Sequence, residues 1–150
     1  MKIEGCIVKY DSKFYDGYSI NKDALKGSIG KKVPFVWSEY YKSVDDNILG
    51  DAILEEREDG IYAVIEFNNT KNAQCAYDLC KDGSVISLYA VAYDILFANR
   101  TMMKGDITKV SCLLKGCLPG TQNKPFMSVG PVGEHYVAIY ACDKIKVVKE

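Results

Sequence analysis

Between Val85 and Phe97 the chain reads Val-Ile-Ser-Leu-Tyr-Ala-Val-Ala-Tyr-Asp-Ile-Leu-Phe, with no glycine or proline to interrupt it. The stretch is too rich in β-branched and aromatic residues to be a loop, and it predicts one long, strongly apolar strand. A strand of that kind needs neighbours, and the chain supplies a second sure element. Ile48 to Glu56 and Ile61 to Phe67 flank Glu58-Asp59-Gly60, which spells a hairpin. Together the two features commit the chain to a mainly β core.

The remaining segments fit around that core. Residues 2–9 alternate loosely and suit a first strand, and Val33-Pro34-Phe35-Val36-Trp37 suits another, with its proline near the start where a missing N–H is tolerated. Asn21-Lys22-Asp23-Ala24-Leu25 predicts an N-cap and a short helix ended by Gly27 or Gly30. From Thr70 to Lys81 the period changes. Ala73, Ala76, Tyr77 and Cys80 share a helical face, Thr70 caps the start and Gly83 stops the end. Ile107 to Leu114 predicts a further strand, and Gly116 to Gly120 a turn. Thr121 to Gly133 reads as an exposed connection, and His135 to Val148 as a last, mostly buried strand with Tyr136, Ala138 and Tyr140 on one face. The expected fold class is mainly β with two or three short helices (α+β), arranged as an antiparallel β-barrel.

At 150 residues the chain is long enough for one domain with a sizeable core. Nineteen basic and twenty acidic residues leave a net charge of −1, so nucleic acid is not an expected partner. There is no apolar run long enough to span a membrane. The start, Met1-Lys2-Ile3-Glu4-Gly5-Cys6, lacks the apolar core of a secretion signal, and a reducing cytoplasm is the expected place of synthesis. The six cysteines form two Cys-x4-Cys pairs with a single histidine, which is not a zinc spacing. Cys75 and Cys80, five apart on the expected helix, splay apart. The thiols read as small buried hydrophobes, and neither metal nor cofactor is expected.

The order of elements, and several short words within them, resembles the prohead (capsid maturation) serine proteases of tailed bacteriophages. Val33 to Glu39 is similar to that family's Val-Pro-x-x-Trp-x-His strand, and Ile48-Leu49-Gly50 to its following Ile-Gly. Asp78 to Ser87 resembles the helix end and glycine turn before its serine strand. Val110 to Gly120 resembles its closing Val-Ser-Leu-Val-x-x-Gly-Ala-x-Pro-Gly-Ala motif. The resemblance covers about residues 1–120, with 121–150 as a C-terminal extension carrying a final strand of the same domain. It implies a herpesvirus-protease-like barrel.

The chain departs from that pattern where catalysis would sit. Glu39 stands in place of the histidine, and the serine strand reads Ile86-Ser87-Leu88-Tyr89-Ala90, so the nucleophile position falls on Ser87 or, in a shifted alignment, on Tyr89. A carboxylate is a weak base toward a serine hydroxyl, whereas histidine titrates near neutrality. The glycine that would let backbone N–H groups approach an oxyanion is absent in either alignment. His135, the only histidine, would have to reach Ser87 from another strand.

The expectation is therefore a pseudo-protease with degenerate positions Glu39, Ser87 and Tyr89. What the resemblance then implies is a structural virion protein that binds the major capsid protein or other head proteins, as an auxiliary or decoration protein and as a homo-oligomer. The tyrosine-rich loops carrying Tyr15, Tyr18, Tyr40 and Tyr41 are the candidate contact surface. Two alternatives stand beside this one: an active maturation protease using Ser87 and His135, and a transient assembly or scaffolding factor.

Overall fold

The computed structural model describes residues 1–12, 14, 17–37, 47–114, 125–129 and 136–149. Of these, 59% are in strands, and the strands form one sheet curled into a half-barrel. In chain order the elements are β1 (Lys2–Lys9), β2 (Ser19–Ile20), β3 (Lys32–Val36), β4 (Ile48–Arg57), β5 (Gly60–Phe67), α1 (Lys71–Lys81), β6 (Val85–Ala98), β7 (Thr101–Leu114), β8 (Phe126–Val129), β9 (Val137–Tyr140) and β10 (Lys146–Val148). Across the sheet the order is β10-β1-β5-β4-β3-β7-β6-β9-β8, with β2 joined to β7. The mainly β fold and the hairpin at Glu58-Asp59 follow the sequence reading.

Alternation explains why the first flank curls as it does. On β4, Leu49, Ala52 and Leu54 are buried while Asp51 and Ile53 are exposed, and on β5 Ile61, Ala63 and Ile65 point to the same core. Two glycines let the strands cross at close range. A methyl group on Gly50 would sit 2.1 Å from the carbonyl oxygen of Glu66, and one on Gly60 2.1 Å from that of Val8. The helix behaves as its period demands. Thr70 Oγ1 accepts from Ala73 N–H at 3.2 Å, Ala73, Ala76 and Cys80 are buried, and Tyr77 packs edge-on against Phe67. Cys75 is exposed and Cys80 buried, as their spacing requires.

Five expectations need correcting. The Asn21–Leu25 segment is not an α-helix. Asn21 Oδ1 accepts from Asp23 N–H at 3.0 Å in a local turn, and only a single 3-10 turn follows at Lys26–Ser28. A segment this short, closed by Gly27 and Gly30, offers too few bonds to offset nucleation. Among the described residues α1 is thus the one α-helix. The sheet is not wholly antiparallel either, since β7 runs parallel to both β2 and β3. The β6–β7 hairpin returns the chain beside β3 in β3's own direction. β7 also starts at Thr101, because Asn99, in the left-handed region at φ 56°, closes a tight turn straight into it. The final strand is broken in two by Cys142 at φ 59°, sending β9 to β6 and β10 to β1. The connection expected over 121–133 contains a strand, β8, paired with β9.

The concave side holds the main core, which gathers Ile3, Ile7, Leu25, Phe35, Leu54, Ile65, Leu88, Met102, Ile107 and Ile139. β1 and β6 face each other across it, where Gly5 lies against Leu88.

Candidate functional site

β6 carries the Ser87–Tyr89 segment, and over residues 87–92 it is buried on both faces. Leu88, Ala90 and Ala92 point into the main core, while Tyr89 and Val91 point outward into a second cluster with Leu113, Tyr136 and Ala138. Two aromatic pairs knit this outer cluster together. Tyr89 stacks on Tyr140 with ring centroids 4.6 Å apart, and Tyr93 meets Tyr136 at 5.9 Å. The packing sets the rings of Tyr140 on β9 and of Tyr136 just before it against β6 rings, which fits the tyrosine-bearing face read from the last segment.

Ser87 stands two residues before Tyr89 in the strand, opposite Leu113 on β7, and is 3% exposed. Tyr89 is opposite Ser111, and Ser111 is opposite Val36, the last residue of β3. One lateral row therefore runs Val36–Ser111–Tyr89–Tyr140–Phe126 across five strands. Ser111 locks the β3 end of that row. Its buried hydroxyl donates to the carbonyl oxygens of Val36 and Trp37, at 2.8 and 3.1 Å. A parallel pairing that ends there leaves carbonyls needing donors, and the serine supplies one.

The structure thus brings the Val-Pro-Phe-Val-Trp strand and the Ser87–Tyr89 segment to neighbouring positions, with β7 between them. Glu39, His135, Tyr15, Tyr40 and Tyr41 lie outside the described residues. Tyr18 is half-buried. Its ring packs against Phe97 at 5.5 Å and lies under the Arg100 guanidinium at 5.6 Å, so it ties the β2 segment to the tip of the β6–β7 hairpin.

Burial pushes the thiols of Cys6, Cys80 and Cys112 up to about 12, which keeps them protonated at neutral pH. Among the described residues no group of three or more histidine, cysteine, aspartate or glutamate side chains is placed to hold a metal ion, and no helix is long and apolar enough to cross a membrane.

The outer tyrosine cluster was only half legible. The alternation of Tyr136, Ala138 and Tyr140 marks one face of a strand, but nothing local says that β6 is its partner. The Ser111 latch had no signal, because a serine within an apolar strand looks the same whether it bonds its own strand or a neighbour's. No protein-family model, no curated protein and no solved structure matches the chain. What fold and site define together is a mainly β domain with a curled half-barrel sheet and a second, tyrosine-lined core on its convex side.

Proposed function

We propose that this chain is a non-catalytic structural protein of a tailed-phage head, an inactive relative of the prohead protease that binds the assembled capsid as an auxiliary or decoration protein. One observation carries the loss of catalysis. Ser87 is 3% exposed, and the neighbouring outward position is filled by Tyr89 stacked on Tyr140. A serine nucleophile must come within about 3–3.5 Å of an incoming carbonyl, and a hydroxyl packed in this way does not meet one. The mainly β half-barrel supports the architectural half of the reading, as does the placement of the β3 and β6 segments that resemble the protease motifs on the two sides of β7. Its partners are the major capsid protein or other head proteins, reached through Tyr15, Tyr18, Tyr40 and Tyr41, and its location is the virion.

The test has two arms. Purified protein should co-sediment with assembled heads, and replacing Tyr40 and Tyr41 together by alanine should weaken that binding by about ten-fold or more. A serine-directed fluorophosphonate should leave the chain unlabelled. Mature heads that neither contain nor bind the protein would overturn the structural role. Labelling of the wild type that disappears in Ser87→Ala would install the active protease in its place.

A further inference from the structure

The two flanks of the curled sheet approach each other at β1 and β6, and the C-terminal segment lies over the place where they meet. β10 pairs with β1 through Lys2–Val148, Ile3–Val147 and Glu4–Lys146. One residue earlier, Ile145 donates its backbone N–H to the carbonyl of Ile86 at the start of β6, at 3.2 Å. The Ile145 and Val147 side chains pack on the main core. Gly5 keeps the floor of this slot low, since a methyl group there would lie 3.1 Å from Leu88 Cδ1 and 3.4 Å from Ile145 Cγ2. Residues 145–148 are therefore a strap across the gap, touching both flanks.

The strap is short, and two apolar side chains, Ile145 and Val147, are its hold on the core. Besides a three-residue ladder and the Ile86 bond, it has the Lys9–Asp143 ion pair at 3.1 Å, which is half-exposed and so contributes weakly. The chain enters it through residues 141–145, which belong to no strand or helix, and Cys142 in that stretch holds the left-handed conformation that a side chain disfavours. Departure of the strap would relieve that residue. It would also take Ile145 and Val147 off the main core and open the slot beside Gly5, and an apolar floor of that kind does not stay open to water.

The slot must be refilled, and the segment whose side chains already match it is present on every other copy. We propose that residues 142–148 exchange between two copies of this chain, each strap bridging β1 and β6 of its partner. Every contact made within one chain is then remade between chains, and the equilibrium is set by concentration and by the strain at Cys142. This pairing does not depend on the capsid reading and would hold if that reading failed.

Two variants test it, both carrying Cys75→Ser, Cys117→Ser and Cys142→Ser. One adds Lys2→Cys and bears an affinity tag; the other adds Val148→Cys. The two are mixed at high concentration, incubated below the unfolding temperature, diluted and oxidised. The expected product is a disulfide-linked heterodimer on a non-reducing gel, rising with the concentration of the incubation. A single chain carrying both Lys2→Cys and Val148→Cys should close on itself when oxidised dilute. Closure of that chain with no heterodimer from the mixture overturns exchange, and failure of that chain to close overturns the strap's seat on β1. With Cys142→Gly in place of Cys142→Ser, the heterodimer should fall roughly five-fold; an unchanged yield would overturn the strained hinge as its source.

Discussion

The sheet has two flanks that treat their outer faces differently. On β1, β5, β4 and β3 the convex side is charged. Lys2 pairs with Glu66 at 3.9 Å, Lys32 with Asp51 at 3.4 Å, and Arg57 binds Glu4 at 3.0 Å as well as Glu55, while its guanidinium lies 4.3 Å from the centre of the Tyr62 ring. On β6, β7 and β9 the convex side is a second apolar core. The first flank needs only one buried face and spells an alternating pattern. The second is buried on both over residues 87–92 of β6, within a continuous apolar run, while the strand alternates from Tyr93 onward. The difference shows that a strand covered on both sides keeps β-rich residues for packing alone.

The sharpest way to break that contrast is to put a charge into the outer core. Val91 is fully buried at 0% exposure, among Tyr89, Leu113, Tyr136 and Ala138. Val91→Asp should destabilise the domain by more than about 3 kcal/mol, because the new carboxylate loses its water among these rings and Lys109, opposite Val91 on β7, offsets only part of that cost. Denaturant unfolding measures it. A loss below about 1 kcal/mol would mean that the convex side of β6 is open to solvent, and the two flanks would then be alike.

This contrast also sets how much could be read beforehand. The 48–67 hairpin, β1 and α1 were legible because each carries its own period: Asp51 and Ile53 outward against Ala52 and Leu54 inward, or Ala73, Ala76 and Cys80 on one helical face. The parallel seam of β3 and β7 was not, because Val36 and Ser111 are brought together by the path of the chain between them and share no local pattern. The break at Cys142 was hidden for a different reason. A left-handed cysteine carries no marker of the kind a glycine gives, and the residues on either side of it alternate as one strand would. Of the candidate site, the Ser87–Tyr89 segment was located correctly on a long strand. Its burial from outside depends on β9, a partner that lies far along the chain.

A smaller effect tests the charged flank. The Arg57 guanidinium donates to Glu4 and holds its carboxyl below the ordinary value of 4.5. The folded state therefore binds this proton less readily than the unfolded state. The resulting stabilisation is present above about pH 4.5 and is lost as pH falls through the lower folded value. Both partners are partly solvated, so Glu4→Gln should cost no more than about 1 kcal/mol at neutral pH. Unfolding curves of the two proteins should then converge as the pH is lowered below 4.5. A gap that persisted or widened in acid would mean that Glu4 acts through packing instead of charge.

The smallest effect is the most discriminating control. Ile53 sits on the same convex side as that ion pair, opposite Lys32 on β3 and Val64 on β5, and is 51% exposed. It borders a groove of about 320 Å³ that is also lined by Lys2, Lys32, Asp51 and Glu66. Ile53→Thr keeps the β-branch that suits a strand and removes apolar surface that is already half in water. Stability should move by no more than about 0.5 kcal/mol in either direction. Threonine is tolerated only if this face is solvated as its charges imply. A loss of about 2 kcal/mol would place Ile53 under a cover comparable to that over Val91, and the charged flank would have to be counted as a second concealed face.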